Sequence, residues 1–135
     1  MPYKIDEIEG IGPAYAKKLA VADIKTTDDF LKLCCDAKGR KAAAAKTGIG
    51  ESQLLKWANM ADLMRVKGIG PEYSELLEAA GVDTVKELRN RKPDNLAAKM
   101  AEINGQKKLT RATPSESVVS GWVSAAKTME PKISH

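Results

Sequence analysis

The sequence predicts an all-α protein of two tandem pseudo-repeats, each a compact bundle of short helices. The composition is the first reason: 43% of the residues are hydrophobic but only 4% are aromatic, whereas sheets are enriched in aromatic and β-branched residues. The second reason is that no segment alternates apolar and polar residues as a half-buried strand does. The third is that the chain repeats itself, because the Gly-Ile-Gly-Pro of residues 10–13 recurs at residues 68–71.

The internal repeat continues after these two turns at constant spacing. The matched pairs are Tyr15 and Tyr73, Leu19 and Leu77, Ala22 and Ala80, Ile24 and Val82, and Thr26 and Thr84. Further on, the register slips by several residues, as a loop insertion would cause, and the segment that ends at Trp57 resembles the one that ends at Trp122. We therefore expect one repeat over residues 1–61 and a second over residues 62–135.

The first repeat should contain short helices separated by glycine turns. Pro13 fits the first position of a helix, where its missing N–H is not needed, and that helix should run to about Val21. Thr26 or Thr27 should cap the next helix, which we expect to end near Asp36. The remaining expectations for this repeat are a short helix over residues 3–8, a break at Gly39, a connecting segment over 42–46 and a helix over 51–64.

The second repeat should follow the same plan. Its predicted helices span residues 71–80, 84–91, 95–103 and 115–129. A second Gly-Ile-Gly lies in the first repeat at residues 48–50, and its counterpart in the second repeat, Thr113-Pro114-Ser115, has lost both glycines. We therefore expect three intact turns and one degenerate turn.

The Gly-Ile-Gly turns carry the functional signal. Glycine accepts backbone angles that other residues avoid, and the isoleucine between the two glycines should point inward and pin the turn to the core. Because the glycines have no side chains, the unpaired N–H groups at the start of the next helix should be exposed, where the helix dipole is positive. Such a corner suits a phosphate oxygen, and it would bind without reading base sequence.

A resemblance to a known motif supports this interpretation. The turn at residues 10–12, with Ala16 and Leu19 after it, resembles the helix-hairpin-helix motif, and the turns at 68–70 and 48–50 resemble it as well. That motif occurs in repair and recombination proteins, polymerases and ligases, where paired hairpins bind the phosphates of duplex DNA. The chain as a whole is similar to an uncharacterised bacterial family built of duplicated helix-hairpin-helix units. The resemblance implies sequence-independent DNA binding, and it would allow a monovalent cation at the turn carbonyls.

Charge near the turns bears on the same hypothesis. The net charge of +4 permits a polyanionic partner. Carboxylates follow the third turn, whereas the basic segments 38–46 and 99–111 precede the second and fourth turns and could form a shared basic face. The candidate DNA-binding residues are Gly10, Ile11, Gly12, Lys17, Lys18, Lys46, Gly48, Ile49, Gly50, Lys67, Gly68, Ile69, Gly70, Lys107, Lys108 and Arg111.

A second interpretation stays open at this point. The turns could be tight interhelical connections used only for packing, and the lysines could belong to a solvated surface. The chain would then be a protein–protein interaction scaffold or a ligand-binding helical module, and an apolar groove or an acidic surface around the turns would favour it. For Trp57 and Trp122, core or inter-repeat packing is the first interpretation, and a stacking platform or a small-ligand contact is the second.

Residues suited to catalysis are not apparent in the sequence. The only histidine is His135, at the end of the chain, and the turn at 48–50 lacks the Lys-Ser/Thr of a P-loop. We therefore expect no enzyme, no cofactor and no metal site. Cys34 and Cys35 are neighbours, which favours reduced thiols packed in the core. Neither a signal peptide nor a run of ~20 apolar residues occurs, so we expect a cytoplasmic protein without a membrane partner.

Overall fold

The computed structural model describes residues 3–134, and these residues form an all-helical structure, as the sequence predicts. Within this range the β structure amounts to an isolated antiparallel bridge between Lys4 and Thr26. No helix in the described range is long and apolar enough to cross a membrane. His135, the one histidine of the sequence, lies outside the described residues.

The helices follow in two runs of four, with a short 3-10 helix, Ile5–Glu7, before the first. The first run is α1 (Pro13–Val21), α2 (Thr27–Cys34), α3 (Ala37–Thr47) and α4 (Glu51–Leu63). The second run is α5 (Pro71–Ala79), α6 (Val85–Leu88), α7 (Pro93–Lys107) and α8 (Glu116–Lys127).

The chain divides into two compact units, which we call the first and second unit. The first unit contains the described residues 3–62 and 132–134, and the second contains residues 63–131. The segment at 132–134 is tied to the first unit because the N–H of Ser134 donates to the carbonyl of Cys35 at 2.8 Å. Each unit therefore has its own core and its own set of helix ends.

The second helix of each run begins after a threonine N-cap. The hydroxyl of Thr26 accepts a hydrogen bond from the N–H of Asp29 at 3.1 Å, and the Asp29 carboxylate accepts one from the N–H of Thr26 at 3.1 Å. This is a capping box, which satisfies two backbone donors that the helix cannot pair itself. The N–H of Lys25 also donates to Asp29, and this backbone hydrogen bond is the main reason why the pKa of Asp29 is lowered. The hydroxyl of Thr84 caps α6 by accepting a hydrogen bond from the N–H of Glu87.

The break expected at Gly39 is wrong, and so is the separate connecting segment expected over residues 42–46. Gly39 lies in the first turn of α3, because the carboxylate of Asp36 caps that helix by accepting from the N–H of Gly39 at 2.7 Å. A Cβ at this position would overlap the carbonyl oxygen of Leu33. Glycine is thus required for the close approach of α3 to the end of α2, and it does not interrupt the helix.

Two helices of the second unit differ in length from the prediction. Helix α6 spans Val85–Leu88, shorter than the expected 84–91, and α7 spans Pro93–Lys107, longer than the expected 95–103. Pro93 occupies the first position of α7, where proline is favoured. At the other end, Lys108 adopts a left-handed conformation (φ 51°, ψ 48°) and its N–H donates to the carbonyl of Asn104, which closes the helix.

Aliphatic side chains dominate the core of each unit. The fully buried large side chains of the first unit include Ile8, Leu19, Ile24, Phe30 and Leu54. The core of the second unit combines Leu63, Val66, Ile69, Leu76, Leu77, Val82, Val85, Leu88, Leu96, Met100, Val119, Trp122 and Val123. Burial of this kind is worth roughly 1.5–3 kcal/mol for each large side chain relative to exposure. Each glycine turn contributes its isoleucine to a core, and this burial fixes the position of the turn.

Candidate functional site

The first glycine turn is a tight backbone corner between the 3-10 helix and α1. The N–H of Ile11 donates to the carbonyl of Ile8 at 3.0 Å. Gly10 has a φ of 94°, a conformation that L side chains rarely adopt. The Ile11 side chain is buried (3% exposed), whereas Gly10 and Gly12 are exposed. The corner is therefore anchored from within and open on its outer side.

An indole lies directly behind this corner. A Cβ on Gly10 would come within 3.3 Å of the Nε1 of Trp57, which is itself 2% exposed. The ring of Tyr15 meets the Trp57 ring edge-on, with centroids 5.1 Å apart and planes 68° apart. Position 10 thus needs glycine both for its backbone angle and for the space that the indole occupies.

The third glycine turn, at the start of α5, has the same geometry. Gly68 has a φ of 95°, and the N–H of Ile69 donates to the carbonyl of Val66 at 3.0 Å. A Cβ on Gly68 would lie 3.0 Å from the Nε1 of Trp122. The rings of Tyr73 and Trp122 are 5.2 Å apart with planes 56° apart. The Ile69 side chain is fully buried.

Both of these helices begin without a side-chain cap. Gly12 and Gly70 are the N-cap residues of α1 and α5, and neither end has a capping side chain. Proline follows each glycine and has no N–H, so the next backbone donors of the first turn point outward without a partner from a cap. A Cβ on Gly12 would have no atom within 4 Å, which shows that the space in front of this helix end is open.

The second glycine turn joins α3 to α4 by a different route. Gly48 is left-handed (φ 76°, ψ 7°), and its N–H donates to the carbonyl of Ala44 at 2.9 Å. The hydroxyl of Thr47 accepts from the N–H of Ile49 at 3.2 Å and donates to the carbonyl of Ala43 at 2.8 Å. A Cβ on Gly48 or on Gly50 would meet no atom within 4 Å. This corner is also open, but the N–H of Ile49 is already used.

The fourth connection, between α7 and α8, is longer and closed by its own side chains. Asn104 accepts from the N–H of Thr110 at 2.9 Å and donates to its carbonyl at 3.1 Å, which braces the loop. The hydroxyl of Ser115 caps α8 by accepting from the N–H of Val118 at 3.2 Å. The connection without the two glycines therefore leads into a helix with a side-chain cap. Fewer backbone N–H groups are unpaired at the start of α8 than at the start of α1 or α5.

The charged groups around the turns differ between the two units. In the first unit the exposed Lys17 and Lys18 follow the first turn, and the Nζ of Lys18 lies 5.6 Å from the centroid of the Tyr15 ring. Lys46 is exposed before the second turn. In the second unit Lys67 is exposed before the third turn, and Glu72, Glu75 and Glu78 follow it on α5. The candidates Lys107, Lys108 and Arg111 are all exposed near the fourth connection.

Helix α3 presents a basic outer surface. Lys38, Lys41 and Lys46 are exposed, and α3 itself, Ala37–Thr47, contains no acidic residue. Arg40 lies on the opposite side and is only 4% exposed. Its guanidinium donates to the carbonyls of Cys34 at 3.1 Å and Ser134 at 2.8 Å. In the sequence, Arg40 lies among the lysines of the basic segment 38–46. In the structure it is buried and donates to backbone carbonyls, so it is not part of the basic surface.

The two cysteines have different environments. Both thiols are free, Cys34 is fully buried and Cys35 is half-buried. Burial raises the pKa of the Cys34 thiol to about 11, although the nearby Arg40 acts in the opposite direction. A thiol with so high a pKa is a weak nucleophile at neutral pH. Within residues 3–134, no three His, Cys, Asp or Glu side chains are grouped so that they could hold a metal ion.

Comparison with known proteins places the chain in a family. A family model described as "Domain of unknown function (DUF4332)" matches residues 9–129. Because this match covers most of the chain, the protein belongs to that family. No curated protein and no solved structure matches the sequence.

Proposed function

We propose that this member of the DUF4332 family consists of two tandem helix-hairpin-helix repeats and binds the phosphate backbone of DNA without reading sequence. The proposed role is non-catalytic. The observation that carries it is the open helix end at Gly12, where an exposed glycine N-cap lacks a capping side chain and has no atom within 4 Å of a Cβ position.

The repeat assignment rests on matched local geometry. Helices α1 and α5 both follow a glycine with a φ near 95° (94° and 95°), and both begin with proline after an extended glycine N-cap. In each unit a tryptophan Nε1 lies against that glycine and a tyrosine ring lies against the tryptophan. Since each of these contacts joins residues far apart in sequence, two unrelated bundles would have little reason to share them.

The binding mode follows from the chemistry of the open corners. Backbone N–H groups at a helix start are suited to an oxyanion, and the helix dipole adds a positive potential. Lys17 and Lys18 supply full charges beside the first corner, and Lys38, Lys41 and Lys46 supply them on α3 of the same unit. Contacts of this kind fix a protein on the backbone but do not distinguish base pairs. The first unit is proposed as the main contributor. Exposed carboxylates also flank its turns, at Glu7, Glu9 and Glu51, but its lysines outnumber them, whereas Lys67 alone offsets Glu72 and its neighbours at the third turn.

A substitution at the open N-cap provides the test. In Gly12→Asp, the new carboxylate would accept the open N–H groups of α1 itself, so the helix start is stabilised while an incoming phosphate is repelled. The φ of −88° at Gly12 is accessible to aspartate. We expect at least a tenfold loss of affinity for a short duplex in gel-shift titrations. Gly121→Asp, at an exposed position in α8 with open space around its Cβ, is the charge-matched control and should bind as the unmodified protein does.

Salt dependence provides a second readout. If the lysines neutralise phosphates, log K should fall linearly with log salt concentration, with a slope of about −0.9 for each contact on duplex DNA. Lys17→Gln and Lys18→Gln should each make the slope less negative by about 1 if that residue contacts a phosphate. Duplexes of unrelated sequence should bind equally. Equal affinities of Gly12→Asp and Gly121→Asp, or affinity that does not respond to salt, would contradict the proposal.

A protein-interaction role remains the alternative, because the first unit also exposes apolar surface. Val21 and Leu33 are 73% and 39% exposed. Leu33 borders a small hollow of about 130 Å³ whose other lining residues include Ala22, Ala42 and Lys46. A surface of this kind suits a protein contact better than a phosphate backbone. Absence of salt-dependent DNA binding, together with self-association of the chain that Leu33→Ser abolishes and Gly12→Asp leaves unchanged, would support the alternative.

A further inference from the structure

A cavity of about 330 Å³ in the second unit lies away from the glycine turns. It lies where the end of α5, the loop after α6 and the start of α7 come together. The lining residues are Ala80, Asn90, Arg91, Lys92, Asn95, Leu96 and Lys99. Three of them carry positive charge, two carry amides, and none carries a carboxylate. Its size is at the lower end of the range for sites of small organic ligands.

Arg91 is held in place at the edge of this cavity. Its Nε donates to the carboxylate of Glu87 at 3.0 Å, and its Nη2 donates to the carbonyl of Gly81 at 2.9 Å. These two contacts restrain the guanidinium and use its Nε and Nη2, so Nη1 is the nitrogen left to donate to an anion. Glu87 offsets part of the Arg91 charge, since it forms an ion pair with it at 3.0 Å. Lys92 and Lys99, both exposed, supply the remaining positive charge.

The chemistry of the lining selects a class of ligand. Arg91 can offer its Nη1 to a phosphate oxygen, and Lys92 and Lys99 act as point charges. The amide groups of Asn90 and Asn95 can donate further hydrogen bonds. Ala80 and Leu96 provide an apolar wall that would contact an organic body. A phosphate monoester carries close to two charges at pH 7, whereas a phosphodiester carries one.

We propose that this cavity is a binding site for a phosphate monoester. The ligand group is a terminal phosphate, either of a small molecule such as a nucleotide or of a nucleic-acid strand that ends in a 5′-phosphate. The internal phosphates of a duplex are not the ligand, because a recess of this size admits a terminal group and a small body but not a double helix. The proposed site therefore does not depend on the glycine turns.

The corresponding hollow in the first unit has a different lining. The hollow between the end of α1, the end of α2 and α3 is lined by Ala22, Ile24, Leu33, Gly39, Ala42, Ala43 and Lys46, with one cation in place of three. Its volume of about 130 Å³ is also smaller than the 330 Å³ of the second unit. A solvated lysine surface with no ligand would give no reason for three cations and two amides to converge on one of the two hollows.

Isothermal titration calorimetry on the full chain tests the proposal. The probes are inorganic phosphate, a nucleoside 5′-monophosphate, the matching unphosphorylated nucleoside, and short single strands with a 5′-phosphate or a 5′-hydroxyl. We expect saturable binding of at least one monoester and none of the nucleoside. The double variant Lys92→Gln with Lys99→Gln should weaken that binding at least tenfold. The control variant Lys86→Gln with Lys127→Gln changes two exposed lysines of the same unit outside the cavity and should bind as before.

The probes also distinguish the source of the phosphate. Preference for the nucleotide over inorganic phosphate would assign the site to small molecules, and preference for the 5′-phosphorylated strand would assign it to strand ends. Absence of saturable binding by every monoester, or an equal loss in the control variant, would overturn the proposal. Duplex binding through Gly12 is measured with DNA that lacks terminal phosphates, so that failure of either proposal can be seen separately.

Discussion

Replacement of Gly68 by alanine tests the contact between a glycine turn and the indole behind it. At a φ of 95°, an L residue pays about 1–2 kcal/mol for the left-handed backbone. Alanine also lowers the conformational entropy of the unfolded chain relative to glycine, which offsets about 0.4–1 kcal/mol of this cost. The added Cβ would then lie 3.0 Å from the Nε1 of Trp122 and 3.9 Å from its Cδ1. Because Trp122 is 4% exposed and packed against Tyr73, the indole has little room to move, and overpacking of this kind costs about 1–3 kcal/mol.

The sum predicts that Gly68→Ala lowers the free energy of unfolding by about 3 kcal/mol. Gly48→Ala is the matched control, since Gly48 also has a positive φ (76°) but no atom within 4 Å of the Cβ position. The control should lose about 1 kcal/mol, which is the backbone cost alone. Urea denaturation followed by far-ultraviolet circular dichroism measures both values.

The difference between the two variants isolates the steric contribution. If Gly68→Ala and Gly48→Ala lose the same free energy to within 0.5 kcal/mol, roughly the limit for additive sites, the indole does not restrict the turn and the reasoning fails. A double-mutant cycle sharpens the result: in a Trp122→Phe background the smaller ring should relieve the contact. The cost of Gly68→Ala should then fall toward that of Gly48→Ala.

Three further perturbations have defined outcomes. Thr26→Ala removes the capping box of α2 and should cost about 1 kcal/mol in urea denaturation; a variant as stable as the parent would show that the cap is dispensable. Burial raises the pKa of the Cys34 thiol from 9.0 to about 11, so the thiol of the unfolded chain ionises first. The free energy of unfolding should therefore fall by up to about 3 kcal/mol as the pH rises from below 9 to 11. Denaturation curves of Cys34→Ala at both pH values should lack this part of the slope, and an unchanged slope would refute the assignment. Arg40→Met removes the donors to Cys34 and Ser134 and should cost about 1–3 kcal/mol, with faster proteolysis of residues 132–134; unchanged proteolysis would show that another contact holds this segment.

Local sequence signals predicted the starts of α1, α2 and α5. Pro13 and Pro71 occupy the first positions of α1 and α5, and Thr26 caps α2. Each of these signals acts within one turn of helix, so the residue type and its immediate neighbours are sufficient to determine the outcome. The all-helical class could be predicted from the low aromatic content and the absence of alternating apolar and polar segments.

Two of the errors arose where a contact from outside the helix overrides a local preference. Gly39 suggests a break from its residue type alone, but the close approach of the Leu33 carbonyl requires glycine within the helix. Arg40 looks like a surface cation, yet its burial depends on a carbonyl 94 residues away, at Ser134. Contacts at such separation leave no periodic pattern in the sequence. The convergence of Arg91, Lys92 and Lys99 on one cavity is likewise a property of the packed helices and not of their spacing.

The pairing of each indole with one glycine turn has a spectroscopic consequence. The sequence contains two tryptophans; Trp57 belongs to the first unit and Trp122 to the second, and both are buried beside a tyrosine. Their emission should therefore be blue-shifted in the folded protein and should move to longer wavelength when either core opens. Trp57→Phe would leave an emitter that reports only on the second unit, and Trp122→Phe one that reports only on the first. The molecule thus contains one intrinsic optical probe for each half of its fold.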